Sequence, residues 1–305
     1  MTVYIKGQQM ADPPDTCTYI AYMSGHCDTL DMIFDDSEGT IKGMELVKGD
    51  TVQALEGNVD TGDMYISGID YNGSQVAIRA LSLPLSAFKT GNQHWENATF
   101  TAIIRDVLEE TGLKVEFIDR PDFMYKEMTR VEQAPLAFLS DRLSLESYGI
   151  RVNNNTAYVF DEKAAEGKEY LLQMDEESFE SSPVYSTDDA RLVSEIENSY
   201  NMPDGTAIKT TVKSGIEGRI LRLSMAVNTV GESLRFSNGM MRAANCTEYL
   251  AEGDVENLDR QPGEVVYLAD APKGHTGENL IYRIKNDLAG NKQTLYMRRP
   301  ITGDY

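Results

Sequence analysis

Side chains suited to chemistry are few. The chain has three histidines, His26, His94 and His275, and three cysteines, Cys17, Cys27 and Cys246. Cys17, His26 and Cys27 could supply three ligands to a tetrahedral metal site, but a fourth is missing, and HExxH, CxxC and paired-histidine spacings are absent. Buried thiols are the simpler reading. Two acidic turns, Asp35-Asp36 with Glu38 and Asp60 with Asp63, could hold calcium weakly, yet neither has the spacing of a known calcium loop and both suit turn formation. Paired acids such as "EE" at 109 and "DEE" at 175 are expected by chance among 49 acidic residues and say little about glycoside cleavage. There is no GxxxxGKS/T, no GxGxxG opening a helix and no GxSxG elbow. These residues point to no catalytic, cofactor or metal site, and the chain reads as non-enzymatic.

The bulk properties narrow the class. A length of 305 residues suggests two or three domains at about 150 residues each. Hydrophobic residues at 41% and charged residues at 25% are those of a soluble globular protein. The longest apolar runs, such as "AIIRDVL", fall short of the roughly 18 residues that a membrane span needs. The start "MTVYIKGQQMADPPD" has no secretory pattern, so folding in a cytoplasm is expected, and the odd number of cysteines fits unpaired thiols in a reducing compartment. A formal charge of −21 repels phosphate backbones, which argues against specific nucleic-acid binding. It suits a solvated acidic surface, or one past which a polyanion slides without sticking.

The elements that must position anything else follow from periodicity. Between Thr16 and Ala87, short runs such as "TCTYIAYMS", "DTLDMIFDD" and "QVAIRALSL" alternate with turn residues, as in a small β-barrel or sandwich. From Asn97 the period changes. Phe100, Ile103, Ile104, Val107 and Leu108 form one helical stripe, and Gly112 sits where a left-handed stop is needed. The plan recurs with Pro135 at a helix start, a stripe of Leu136, Leu139 and Leu143, and Gly149 as the expected stop before "IRV". Asn153-Asn154-Asn155 then closes a hairpin, so residues from about Trp95 to Asp161 read as an α+β packing module, with Trp95 as a core anchor between domains. Strands return after the acidic stretch "DEESFESS", interrupted by a helical segment at 231–250.

The first and last regions resemble each other. Gly49-Asp50 matches Gly263-Glu264, Thr61-Gly62 matches Thr276-Gly277, Tyr65 matches Tyr282 and Pro84 matches Pro300, at an offset of about 215 residues. "FDDSEGT" at 34–40 also resembles "YNMPDGT" at 200–206. The expected fold is therefore a β-rich α+β chain: a first barrel at 1–92, an inserted α+β domain at 93–163, a linker at 164–187 and a second barrel at 188–305 carrying the helical insertion. Three such chains would present six similar barrels, letting a threefold object sit on a sixfold one.

Residues 131–162, "VEQAPLAFLSDRLSLESYGIRVNNNTAYVFDE", resemble a segment of the late control D or baseplate hub proteins of contractile phage tails, prophage-like particles and contractile bacteriocins. "LVKGDTVQA", "TGDMYISGI" and "PGEVVYLAD" through "RRP" are similar to the same family more loosely, and Ala134-Pro135 departs from its usual hydroxyl or acidic helix cap. The resemblance implies a homotrimeric hub of two tail-tube-like barrels with an inserted domain, located in a tail baseplate and assembled in the bacterial cytoplasm. The implied partners are the hexameric tail tube protein, other baseplate proteins, a tape-measure protein in the lumen and a spike, expected as a separate polypeptide because no spike module follows Tyr305. Arg298 and Arg299 suit pairing with acids across a subunit interface or an exposed strand end. The competing expectations are a peptidoglycan-active tail enzyme, which needs an acid and a base in a cleft, and a carbohydrate-binding β-protein, which needs exposed aromatics on one face.

Overall fold

The computed structural model describes residues 1–257 and 259–301. The chain begins with β1 (Thr2–Ile5), β2 (Gln8–Gln9), β3 (Thr16–Tyr22) and β4 (Thr29–Asp35), a single helical turn α1 (Thr40–Gly43), then β5 (Thr51–Glu56), β6 (Val59–Asp60), β7 (Met64–Asn72) and β8 (Gln75–Leu81). The middle holds β9 (Gly91–Thr99), α2 (Phe100–Glu109), β10 (Lys114–Phe117), β11 (Met124–Gln133), α3 (Pro135–Leu145), β12 (Tyr148–Asn153), β13 (Thr156–Asp161) and α4 (Glu162–Glu166). Next come β14 (Gln173–Met174), β15 (Val184–Thr187), β16 (Val193–Asn201), β17 (Ala207–Lys213), β18 (Arg219–Leu223) and α5 (Val230–Asn245). The described chain closes with β19 (Tyr249–Glu256), β20 (Val265–Leu268), β21 (Gly277–Asp287) and β22 (Lys292–Arg298).

Strands from both ends of the chain share one 14-stranded sheet, ordered β15-β19-β22-β21-β3-β4-β8-β7-β5-β1-β2, with β20, β14 and β6 branching from it. Within it one antiparallel pattern occurs twice, as β3-β4-β8-β7-β5 and as β15-β19-β22-β21-β20. Each copy has its own core. Alternate residues of β1, β3, β4, β5, β7 and β8, among them Ile5, Leu30, Val52, Ile66 and Ile78, converge on one cluster, so this half of the sheet rolls around them. Val255, Val266, Ile281 and Leu295 do the same for the second copy. Among the described residues the hydrogen-bonded path stays open, so neither roll closes as a ring of strands.

Turns explain why the repeat shows in the sequence. Gly49 (φ 93°) and Gly263 (φ 92°) are each the third residue of a four-residue turn, a left-handed position that side chains resist. Asp50 N–H donates to Val47 O, and Glu264 N–H donates to Gln261 O. The glycine amides donate to the carbonyls of Ile66 and Ile281, and those residues return bonds to Asp50 O and Glu264 O. A register shift follows at the same place in both copies, between Ile66 and Gly68 and between Ile281 and Arg283. Ile66 thus corresponds to Ile281, which makes Leu280 the counterpart of Tyr65 and corrects the match with Tyr282. "FDDSEGT" leads into α1 while "YNMPDGT" turns a β16–β17 hairpin, so that likeness reflects turn chemistry alone.

The strands assort differently from the expected boundaries. β14 and β15, within 164–187, join the large sheet. β16, β17 and β18 form a separate three-stranded sheet that packs with α5. Both are short alternating strands, so periodicity could not sort one from the other.

In the middle module, β9 pairs with β11, and β10, β13 and β12 form a three-stranded sheet. Thr99 caps α2 by accepting from Ala102 N–H, the buried stripe runs Phe100 to Leu108, and Gly112 (φ 78°) lies just beyond the helix. Ala134 gives α3 no side-chain cap, and Pro135 opens the helix. Gly149 does not stop α3. Ser147, at φ 61°, turns the chain, and Gly149 lies inside β12, where a Cβ would come 2.5 Å from the Phe160 ring and 2.9 Å from Ser24 Oγ. Its requirement is close approach. Gly149→Ala should therefore lower stability by about 1–3 kcal/mol in urea unfolding, whereas Gly43→Ala, with nothing within 4 Å of its added carbon, should leave the midpoint unchanged.

Candidate functional site

Of the residues expected to matter for assembly, Thr61 and Gly62 lie where the middle module docks on the first copy. The hairpin between β12 and β13 turns through Asn154 (φ 45°) and Asn155 (φ 57°), and its tip seats on the first copy beside Thr61-Gly62. Asn153 Nδ2 donates to Thr61 O (3.4 Å), and Tyr65 OH donates to Asn155 Oδ1 (3.1 Å). A Cβ on Gly62 would come 2.8 Å from Asn154 Cβ, so glycine is required by the docking as well as by its φ of 62°. Thr61 is buried, accepts from Ala54 N–H and donates to Gly62 O. Thr276 and Gly277 occupy the matching turn of the second copy, where Thr276 Oγ1 donates to Ala271 O and Gly277 has φ 117°.

Three buried carboxylates fasten the modules, each holding an arginine from elsewhere. Asp28 accepts from Tyr19 OH (2.6 Å), Tyr22 N–H (2.8 Å) and Arg151 (3.3 Å), joining the first copy to β12. Burial pushes the Asp28 carboxyl up from its ordinary range, against the opposing pull of Arg151 and of the Tyr19 and Tyr22 donors. Glu146, after α3, accepts from Tyr125 OH and from Arg235 Nε (2.6 Å), joining the middle module to α5. Glu166, at the end of α4, accepts from Arg242 (2.6 Å), Arg298 (2.5 Å) and Ile301 N–H (3.0 Å). Arg298 is therefore a buried partner of Glu166 within the chain, and neither a subunit-interface pair nor an exposed strand end. Arg299 is exposed, with its guanidinium 5.6 Å from the Tyr249 ring centroid.

The remaining sequence candidates have structural surroundings. Cys17 lies in the first core, where burial pushes its thiol up to about 12, far from a metal-binding thiolate. Among the described residues no group of three or more histidine, cysteine and acidic side chains is placed to hold a metal. Asp36 accepts from the amides of Ile41 (2.7 Å) and Lys42 (3.0 Å), and Asp60 from Gly62 N–H (2.8 Å). Asp50 accepts from Val47 N–H (2.9 Å), and Glu264 lies 3.4 Å from Arg260. Trp95 stacks on Phe138 of α3 and packs against a core cluster that takes residues from the middle module and from β17 and α5, among them Ile208 and Phe236. Leu139 and Leu143 are buried and Leu136 half-buried on α3, which packs on α5. Asp28, Glu146 and Glu166 were not singled out from the sequence, because nothing in local spacing separates them from the other acids.

The fold is similar to those of solved phage and prophage tail proteins and of a type VI secretion component. The structure of the 43 kDa tail protein of prophage MuSo2 from Shewanella oneidensis is similar at a TM-score of 0.74 and 15% identity, covering 99% of this chain and 98% of that one. A tail protein from Neisseria meningitidis MC58 matches at a TM-score of 0.75 and 10% identity over 97% and 95% of the two chains. An Escherichia coli type VI secretion component, described as structurally similar to the T4 tail proteins gp27 and gp5, matches at 0.60 and 12% over 98% and 76%. No protein-family model and no curated protein matches the sequence.

Removing one partner of a buried pair leaves the other charge uncompensated. Arg151→Ala should cost about 3 kcal/mol in urea unfolding, and adding Asp28→Asn should recover part of that loss by removing the stranded carboxylate.

Proposed function

We propose that this chain is the structural hub of a contractile tail or tail-like particle, a trimeric adaptor that joins a hexameric tail tube to a central spike. The observation that carries this reading is the doubled sheet unit, with two copies held side by side in one sheet. Three chains supply six such units, which matches a sixfold tube on one side and a threefold spike on the other. The fold shared with phage and prophage tail proteins supports it. The resemblance of residues 131–162 to baseplate hubs points the same way.

In this role the chain works through shape and interfaces, not catalysis. Its partners are the tube protein, a separate spike, neighbouring baseplate proteins and a tape-measure protein in the channel, and its place is the particle's baseplate after cytoplasmic assembly. No helix among the described residues is long and apolar enough to cross a membrane. An acidic channel wall would let DNA pass without binding it.

Light scattering of the purified chain, alone and with a candidate spike, tests the reading. A mass of three 34.0 kDa chains in either sample is expected. A strict monomer in both would overturn the adaptor role.

A further inference from the structure

The loop between β3 and β4 meets the middle module, α5 and the second copy around a cavity of about 620 Å³. Met23 N–H donates to Tyr282 O (2.9 Å), and Ser24 Oγ donates to Glu162 Oε1 (3.0 Å), which fixes the loop against both neighbours. Arg283 of β21 and Arg298 of β22 line the cavity together with Ser140 and Ser144, which lie one turn apart on one face of α3. Glu162 is its one lining carboxylate, and Ser24 already occupies it. A chain of charge −21 thus has here two guanidiniums against a single acid. Neither arginine has a carboxylate to itself. Arg298 shares Glu166 with Arg242. Arg283 lies over the Tyr296 ring, 3.4 Å from its centroid, and among the described residues it pairs with no carboxylate, while its Nε is buried without a hydrogen-bond partner. Thr247 Oγ1 is likewise buried and unpartnered, and the Ser140 and Ser144 hydroxyls bond to no described residue.

We propose that this cavity binds a small phosphorylated polyol, its phosphate held by Arg283 and Arg298 and its hydroxyls by the serines of α3. Guanidinium groups offer phosphate oxygens a planar fork of donors, and the interaction strengthens where water is partly excluded. Serine hydroxyls donate and accept, as a polyol needs. Leu143, Ile150 and Leu250 supply apolar surface for its carbon chain. A volume of 620 Å³ exceeds that of a phosphate ion and lies within the range of small-molecule pockets, about 300–1,000 Å³. A bound ligand would touch the first copy's loop, α3 and the second copy at once, so binding would stabilise their mutual arrangement by mass action. The site lies within one chain, and its occupancy does not depend on how many chains assemble.

Titration calorimetry of the purified full chain at constant ionic strength tests the site, with glycerol 3-phosphate, inorganic phosphate and glycerol as probes. Glycerol 3-phosphate should bind once per chain and raise the thermal midpoint, inorganic phosphate should bind more weakly in competition with it, and glycerol should not bind. Arg283→Gln should weaken both phosphate compounds about tenfold or more. Ser140→Ala combined with Ser144→Ala should weaken glycerol 3-phosphate and leave inorganic phosphate unchanged. Arg222→Gln, which removes an exposed arginine paired with Glu197 on a different sheet, should change neither. If Arg283→Gln does not fold, Arg283→Lys takes its place, since it keeps the charge and loses the fork, and the same weakening is expected. Failure of both phosphate compounds to bind, binding that survives the Arg283 substitution, or equal binding of glycerol would overturn the site. Equal affinity for inorganic phosphate and glycerol 3-phosphate would overturn the polyol.

Discussion

The antiparallel seam between β3 and β21 is the constraint on which the rest of the architecture depends. It bonds strands near opposite ends of the chain, and Asn286 Nδ2 reaches Tyr19 O across 267 positions of sequence. Closing so long a loop adds entropy only logarithmically, so its cost at equilibrium is modest. In kinetics the same contact is expensive, because non-local pairing must wait for both partner strands to exist. Each copy therefore needs a core of its own, and each has one. The seam then fixes the two rolls side by side in a single hydrogen-bonding direction, which no flexible linker could do.

The polar fasteners answer a different need. Asp28, Glu146 and Glu166 each take an arginine from another module, at positions removed from water. Such pairs add little net stability over apolar packing, because desolvation opposes the attraction. Their geometry is selective, however: a carboxylate with two or three aimed donors accepts one arrangement of its neighbours and penalises the rest. Glu166 is the clearest case, since it holds α4, α5 and the end of β22 at one point. Orientation of the modules, more than their individual folding, is what these groups secure.

Much of this was legible in the sequence where backbone geometry forces residue choice. Gly49 and Gly263 were visible because their turns need positive φ, and their spacing carried the repeat. The α2 stripe was visible because an amphipathic helix has a period of its own. Gly149 misled because a glycine required for packing against Phe160 looks, in one dimension, like a helix stop. The sheet of β16, β17 and β18 was folded into the second barrel because strand alternation says which face is buried but not which sheet a strand joins. Arg298 looked like an interface residue because its partner Glu166 is 132 positions away.

The charge sets a final condition on assembly. A chain of −21 repels its own copies, so contacts between them must be attractive without relying on net charge. At physiological ionic strength that repulsion is screened beyond about 8 Å, whereas hydrogen bonds between strand edges act within about 3 Å. Strand-edge pairing is thus a contact that an acidic subunit can make with itself, and two copies per chain supply two kinds of edge. One kind is used internally by β3 and β21. The other leaves β7 and β15 exposed, and in a soluble protein an exposed edge is a liability unless something covers it.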